Sequence, residues 1–166
     1  KALQVAVPQF KDLKYVEEKK GKPHLQVIYK HWRPPGARQQ EDQFSDGTIR
    51  FICLFWALLE SQGLLLLEEP EMSLNHEIVR QIPALMHKLA GQQGRQVIVS
   101  THSAALLSDE GIGLEEVLLL VPHGEGTAVR RANSFEEAKA LVEGGMNVGE
   151  AVLPLTNPEQ MYLIEP

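Results

Sequence analysis

Residues 64–76 read LLLLEEPEMSLNH, a run of four leucines that ends in two adjacent carboxylates and a proline. Four consecutive leucines predict a short strand buried on both faces, as in a parallel sheet. Glu68 and Glu69 then emerge at the carboxyl end of that strand, where open α/β sheets bind their ligands. Two like charges side by side disfavour ionisation unless a cation compensates them, as a magnesium ion with a nucleotide phosphate does. The alternative is a leucine-rich helix running into an acidic, solvated turn.

Two further segments favour the strand interpretation. Residues 44–50 read FSDGTIR and open a long apolar stretch. Residues 97–103 read VIVSTHS, a second short β-branched strand that ends in Ser100, Thr101 and His102. The order is therefore Ser-Asp-Gly before a helix, a strand with Glu-Glu-Pro, an amphipathic helix, and a strand with Ser-Thr-His. Each motif alone is weak evidence, but three in this order and at this spacing are strong evidence.

In these motifs the chain resembles the C-terminal half of an ABC-type ATPase head, in the SMC-, RecF- and OLD-like branch often labelled AAA-domain ATPases. The resemblance covers about residues 40–121. It implies an α/β fold: a partial P-loop NTPase core with parallel strands, preceded by an antiparallel β-hairpin region. Nothing in the chain matches G-x-x-x-x-G-K-[ST], the backbone cradle of the β- and γ-phosphates. We therefore expect the Walker A part to lie in a missing N-terminal segment, and these residues alone to be inactive.

The resemblance assigns roles to the residues that follow the two predicted strands. Glu68 occupies the Walker B acid position, which holds Mg²⁺ directly or through a water, although the family usually has Asp there. Glu69 occupies the general-base position, which orients water for in-line attack on the γ-phosphate of ATP. His102 matches the switch histidine, which hydrogen-bonds the γ-phosphate. The alternative for an isolated histidine in a turn is a structural role.

A second group of residues resembles the surfaces that meet in a dimer of such heads. Ser45, Asp46 and Gly47 resemble the signature motif, with Asp46 in place of its first glycine. A serine and backbone N–H groups at a helix N-terminus form an anion site. In this family that site contacts the γ-phosphate bound to a second copy of the chain. Ser73 and Asn75 lie where the D-loop would link the two composite sites. The alternative is an ordinary N-cap, Ser45 or Asp46, on a buried helix.

Turn residues and apolar periodicity divide the chain into three predicted regions. These are an antiparallel β region and loop (1–43), the core with signature helix, Walker B and switch histidine (44–132), and a C-terminal helix and tail (133–166). The predicted elements are strands at 2–7, 12–18, 24–32, 116–121 and 127–132 and helices at 47–60 and 75–90, with Pro83 kinking or breaking the second helix. Ser134 and Glu137 form a capping-box pattern for the last helix, which ends near Gly144.

Composition fits an intracellular, cytoplasmic enzyme domain. At 43% hydrophobic and 23% charged residues, the 166-residue chain can bury a core. The lone Cys53 is predicted to be a core residue of the apolar helix, so no disulfide framework exists. Polar residues at 60–63 interrupt the longest apolar region, which argues against a membrane span. The net charge of −6 argues against a broadly basic nucleic-acid surface.

The leading hypothesis is the C-terminal part of an ATP-hydrolysing head that dimerises with a second copy of itself. By family analogy its partners include DNA or a nuclease, in DNA maintenance or defence against foreign DNA. One alternative is a transporter nucleotide-binding subunit, against which the divergent signature weighs. The other is a catalytically inactive interaction module of the same fold. Glu69 and His102 argue against that module, since neither is needed for packing.

Overall fold

The computed structural model describes residues 4, 7–17, 21–32, 36–60, 63–124 and 126–157. The chain forms two compact units, Lys1–Ser61 with Met72–Ile78, and Gln62–Glu71 with Val79–Pro166. The predicted α/β class is confirmed, because one parallel strand pair and two antiparallel sheets alternate with helices. The strand predicted at 2–7 lies almost wholly outside the described residues.

The first unit contains a three-stranded antiparallel sheet. Its strands are β1 (Phe10–Glu17), β2 (Pro23–Tyr29) and β3 (Ala37–Gln40), with β2 in the centre. The predicted hairpin of β1 and β2 is confirmed, with Leu13 opposite Val27. Two apolar side chains of the sheet, Phe10 and Val27, form a cluster with Phe44 and with Ile52 of the helix that follows the sheet. Alternation with period two therefore places one face of the sheet in this core.

Helix α1 (Asp46–Leu59) begins at the N-cap Ser45 and buries Phe51, Ile52, Leu54 and Leu58. The prediction that this helix is central because it is apolar nearly all round is wrong. Trp56 is 68% exposed, and Ile49 and Leu59 are exposed as well. Cys53 is also exposed, so its prediction as a core residue is wrong. The spacing of Ile49, Cys53 and Trp56 places all three on one stripe, away from the face that carries the buried Phe51, Leu54 and Leu58.

The second unit contains the strand pair that the leucine run predicted. Strand β4 (Leu65–Glu68) pairs in parallel with β5 (Val97–Ser100) in continuous register. The parallel strand is confirmed and the alternative of a leucine-rich helix is excluded. The prediction that the strand is buried on both faces is wrong, because Leu66 is 67% exposed and its register partner Ile98 is 50% exposed. One face of this pair is therefore uncovered by the described residues.

Two helices follow β4 where one was predicted over 75–90. Helix α2 (His76–Val79) is short, and α3 (Ile82–Gln93) begins with Pro83 in its first turn. Proline is accommodated there because the first N–H groups of a helix have no intrahelical partner. Gly94 ends α3 in the left-handed conformation with φ 63°. The predicted break at Pro83 is confirmed.

The rest of the second unit is a hairpin and two helices around a separate core. Strands β6 (Leu118–His123) and β7 (Gly126–Arg131) form the predicted antiparallel hairpin, although β6 begins two residues later than expected because Leu114–Glu116 forms a 3₁₀ turn. Helices α4 (Glu136–Glu143) and α5 (Val148–Val152) follow. Their small and branched residues pack with the hairpin in a cluster of Leu107, Leu119, Ala132, Ala138, Val148, Ala151 and Val152.

The helix termini in this region differ from the expectation. The predicted capping box of Ser134 and Glu137 is wrong, because Ser134 Oγ donates to the carbonyl oxygen of Arg131 at 2.6 Å and caps no helix. Helix α5 was not predicted, and its N-cap is Asn147, whose Oδ1 accepts from the N–H of Glu150 at 2.9 Å. Across all the described residues, no helix combines the length and the apolar character that crossing a membrane requires.

Candidate functional site

The two acids lie at the carboxyl end of β4, beside the end of β5. Glu68 is the last residue of β4, opposite Ser100 in the register, and it is exposed. Glu69 extends the ladder by one bond, because its N–H donates to the carbonyl oxygen of Ser100 at 2.9 Å. His102 follows β5, and its Nδ1 lies 3.0 Å from Oε1 of Glu69. The residues predicted as base and switch histidine are therefore in direct contact.

Glu69 has an unusual backbone. Its φ is 41°, in the left-handed region that a non-glycine residue adopts only at a cost in free energy. Pro70 follows it, and a proline biases the preceding residue toward extended backbone, so local sequence does not favour this conformation. Its backbone bond to Ser100 and its side-chain contact with His102 are two interactions that restrain it. Left-handed backbone held in this way clusters at functional sites.

Burial differs between the two partners of this contact. The Glu69 side chain is 33% exposed, whereas the His102 side chain is 79% exposed. The carboxylate is thus screened from bulk water on most sides, while the imidazole is open to a ligand. A partly desolvated carboxylate beside an accessible imidazole suits acid–base chemistry on a bound substrate.

Two residues that the sequence did not single out as site residues join the same edge. Glu71 accepts a hydrogen bond at Oε1 from the hydroxyl of Thr101. The Thr101 hydroxyl also accepts from the N–H of Ser103 at 3.0 Å. The sequence does contain a hint of Glu71, because it is the third carboxylate of the Glu-Glu-Pro-Glu stretch and follows Glu68 and Glu69 closely. Spacing alone did not show that it faces Thr101.

The residues predicted from the signature and the D-loop meet in the first unit. Ser45, Gly47, Ser73 and Asn75 line one pocket of about 300 Å³, together with Thr48 and other neighbours. Asp46 begins α1 but does not line this pocket. Residues separated by 26 positions or more in the chain are thus brought together, which the sequence analysis did not predict.

Ser45 is the N-cap of α1. Its Oγ accepts from the N–H of Thr48 at 3.2 Å and lies 2.9 Å from the Thr48 hydroxyl. The N-cap alternative is therefore correct for Ser45, and such a cap contributes about 1 kcal/mol. Capping does not exclude ligand binding, because Gly47 and Thr48 in the first turn of the 14-residue helix α1 also line this pocket.

The opposite wall of this pocket is strained and tightly packed. Ser73 has φ 63°, in the left-handed region. A Cβ at Gly47 would lie 2.5 Å from the Ser73 carbonyl oxygen, so no side chain fits without a backbone shift. Asn75 holds the following turn, because its Oδ1 accepts from the N–H of Glu77 at 2.9 Å. Gly47 is therefore required by the close approach of these two segments.

The described acidic residues do not form a metal site of their own. Among the described residues, no three His, Cys, Asp or Glu side chains are grouped to hold a metal ion alone. Mg²⁺ is commonly bound through one or two carboxylates, with phosphate oxygens and water completing its octahedron. The exposed carboxylate of Glu68 is suited to that single contribution.

Comparisons with known proteins bear on the family and the fold of the chain. The family model described as "AAA domain, putative AbiEii toxin, Type IV TA system" matches residues 3–108. "Phosphonates import ATP-binding protein PhnC 2" of Synechococcus sp. (strain JA-2-3B'a(2-13)) is 35% identical over 68 residues, 41% of this chain and 25% of that protein. The aligned part thus spans a quarter of the curated relative.

A solved structure reported under "Structural biochemistry of ATP-driven dimerization and DNA stimulated activation of SMC ATPases" has the same fold. It aligns with a TM-score of 0.59 over 87% of each chain at 13% identity. At this identity the likeness shows the fold alone, which is the α/β fold of that SMC ATPase structure. The chain belongs to the family described as "AAA domain, putative AbiEii toxin, Type IV TA system", whose model matches more than half of it.

Proposed function

We propose that this chain is the part of an ATP-hydrolysing, ABC/SMC-like head that supplies the magnesium-binding acid, the general base and the switch histidine. The contact between Glu69 Oε1 and His102 Nδ1, at 3.0 Å, is the observation that carries this proposal. Both side chains lie at the carboxyl ends of a parallel strand pair, where α/β proteins bind ligands. The left-handed backbone at Glu69 supports the same assignment.

Glu69 is the general base in this proposal. Its carboxylate accepts a proton from the water that attacks the γ-phosphate of ATP, so that the P–O bond to the β-phosphate breaks in line. Glu68 would hold Mg²⁺, which neutralises phosphate charge when bound. The half-buried position of Glu69 limits competing hydrogen bonds from bulk water.

His102 links the base to the nucleotide. A neutral imidazole whose Nδ1–H is donated to Glu69 has only an acceptor at Nε2. It can donate to a phosphate oxygen from Nε2 only if it is protonated or if it releases Glu69 and turns. His102 therefore senses the γ-phosphate through a choice between these two partners, which its high exposure permits.

The pocket of Ser45, Gly47, Ser73 and Asn75 is proposed to receive the γ-phosphate bound to a second copy of the chain. Support comes from the N-terminus of α1 and the exposed Ser45 at its cap. Further support is the reported ATP-driven dimerization of the SMC ATPases that share the fold. Asp46, which replaces a glycine of the signature, is proposed to border this anion site without lining it.

The phosphate loop is proposed to come from a segment outside these 166 residues, none of which forms a Walker A pattern. The curated relative, which aligns over only 25% of its length, is consistent with a longer ATPase. We accordingly propose that this chain alone hydrolyses no ATP. We propose that ATP hydrolysis by the intact protein drives a conformational change that acts on DNA, directly or through a nuclease. The DNA stimulated activation reported for the SMC ATPases supports this proposal.

A transporter nucleotide-binding subunit is the second candidate. It is favoured by the 35% identity to a phosphonate-import ATP-binding protein. The two candidates differ in a measurable response, because only a DNA-maintenance ATPase is expected to hydrolyse ATP faster when duplex DNA is added. If the chain belongs to an inactive interaction module, we expect no ATP hydrolysis with or without duplex DNA.

Glu69→Gln in the intact protein tests the proposal. We expect ATP binding to persist and steady-state phosphate release to fall by about a hundredfold, since amides are poor proton acceptors. Glu143→Gln, an exposed acid at the end of α4, is the matched control and should keep the parent rate. A Glu69→Gln protein that hydrolyses ATP at the parent rate would show that Glu69 is not the base.

A further inference from the structure

A side-chain bridge connects the loop after β4 to the loop after β5. The Thr101 hydroxyl accepts from the N–H of Ser103 at 3.0 Å, so its own proton is donated to Oε1 of Glu71. The bridge spans 30 positions of the chain. It lies one residue before His102 in one loop and two residues after Glu69 in the other. The two loops that carry the candidate base and histidine are therefore tied together beside their contact.

The environment of Glu71 makes this bridge costly to break. Its Oε2 is buried and has no hydrogen-bond partner among the described residues. Burial removes the hydrogen bonds that water would make to this carboxylate, so losing its one remaining hydrogen bond would cost free energy. Loss of the Thr101 hydroxyl would leave both carboxylate oxygens without a donor from the described residues. The bridge is thus a fixed point rather than a flexible surface contact.

The bridge lies two residues from the left-handed backbone of Glu69. The φ of 41° is not favoured by the following Pro70, so neighbouring interactions have to hold it. The backbone bond from Glu69 to Ser100 fixes one end of the loop, and the Glu71 bridge fixes the other. Glu69 is held between these two points.

We propose that Glu71 and Thr101 are a positioning pair that holds Glu69 and His102 in register for hydrolysis, an inference that rests on the proposed function. Neither residue touches the reacting atoms. The pair keeps the loops together while His102 changes partner between Glu69 and phosphate. A misplacement of about 1 Å in such a site can lower the rate a hundredfold.

Thr101→Val in the intact protein tests this pair, because valine keeps the shape and removes the hydroxyl. We expect kcat for ATP to fall at least about tenfold with KM within about twofold. Thr101→Ser, which keeps the hydroxyl, should restore most of the rate. Thr156→Val is the control, since it removes a hydroxyl of similar burial that bonds to Leu153 in the same unit. Its kcat should equal that of the parent.

Variants of Glu71 and a double-mutant cycle make the test independent of any one substitution. Glu71→Leu should match Thr101→Val, and the double variant should lose no more than either single one, because both remove the same bond. Glu71→Gln, which keeps an acceptor, should remain within about threefold of the parent. Additive losses, equal rates for Thr101→Ser and Thr101→Val, or a parent-like kcat for Glu71→Leu would each overturn the proposal.

Amide hydrogen exchange tests the positioning role of Glu71 and Thr101 independently of the proposed ATPase function. In Thr101→Val, exchange at the N–H of Glu69 should accelerate about tenfold as the loops part, whether or not ATP is hydrolysed. Accelerated exchange without any ATPase activity in the parent would refute the proposed function and support the bridge. Unchanged exchange at Glu69, alongside an active parent, would refute the bridge and leave the proposed function standing.

Discussion

At the scale of single residues, backbone strain marks both candidate surfaces. Among the described residues, the two non-glycine positions with left-handed backbone are Glu69 and Ser73. One is the candidate base and the other a wall of the signature pocket. Such conformations cost about 1–3 kcal/mol each and persist because neighbouring bonds fix them. The sequence predicted Glu69 from its paired carboxylates and Ser73 from the resemblance to a D-loop, and the left-handed backbone is an independent feature of both positions.

Gly47→Ala tests the close approach on which the signature pocket depends. A methyl group there would lie 2.5 Å from the Ser73 carbonyl oxygen, so the backbone has to move. We expect a loss of about 1–3 kcal/mol in the free energy of unfolding, as for other overpacked sites. Urea denaturation followed by circular dichroism measures it.

Gly91→Ala is the matched control for this substitution. Gly91 lies within α3, and no atom lies within 4 Å of a Cβ built there. Alanine is favoured over glycine in a helix by up to about 1 kcal/mol, so this variant should be as stable as the parent or more so. If Gly47→Ala were as stable as Gly91→Ala, the packing of Gly47 on Ser73 would be refuted.

Among the secondary-structure elements, the sequence correctly predicted those that are determined by apolar periodicity and by residues that end helices or strands. The leucine run, the β-branched strand and the hairpins follow from local pattern, and Pro83 located the break between α2 and α3. Burial was less predictable. Four leucines give no information about whether a neighbouring layer covers both faces, so the exposure of Leu66 and Cys53 required the tertiary structure. The bridge between Glu71 and Thr101 depends on loop geometry that spacing does not encode.

The link between β2 and the turn after β3 predicts a pH dependence of the first sheet. The pKa of Glu41 is lowered by hydrogen bonding to its own backbone N–H, and then by His24, whose Nδ1 lies 2.7 Å from Oε1. Its Oε2 also accepts from the N–H of Leu25 at 2.8 Å. A carboxyl with a lowered folded pKa stabilises the fold above its unfolded pKa, and this contribution is lost as the pH falls through the folded pKa.

Melting temperatures between about pH 6 and pH 3 measure this effect, since unfolded glutamate titrates near pH 4.3. The parent should lose stability through this interval more steeply than Glu41→Gln, which cannot ionise. Glu17→Gln, another exposed glutamate of this sheet, is the control and should follow the parent. Identical pH profiles for the parent and Glu41→Gln would contradict the role of this carboxylate.

At the scale of the whole molecule, the proposed chemistry is divided between two surfaces. One unit carries Glu68, Glu69 and His102, and the other carries the pocket of Ser45, Gly47, Ser73 and Asn75. Under the proposed function, these surfaces complete each other across two copies of the chain. A closed two-fold dimer would contain two such composite sites, each using Glu69 of one copy and Ser45 of the other.

Complementation between two inactive variants of the intact protein tests whether the two surfaces form one composite site. Ser45→Arg places bulk and charge in the signature pocket, and Glu69→Gln removes the base, so each variant alone should hydrolyse ATP at about a hundredth of the parent rate or less. A mixed dimer regains one intact site. Random mixing at equal concentrations should therefore restore at most about a quarter of the parent rate, because half of the dimers are mixed and each has one competent site of two.

Phosphate release by the mixture, with mixed dimers verified by two affinity tags, is the decisive measurement. We expect a rate well above that of either variant, rising with the fraction of mixed dimers. A mixture that contains mixed dimers but hydrolyses ATP no faster than the separate variants would contradict it.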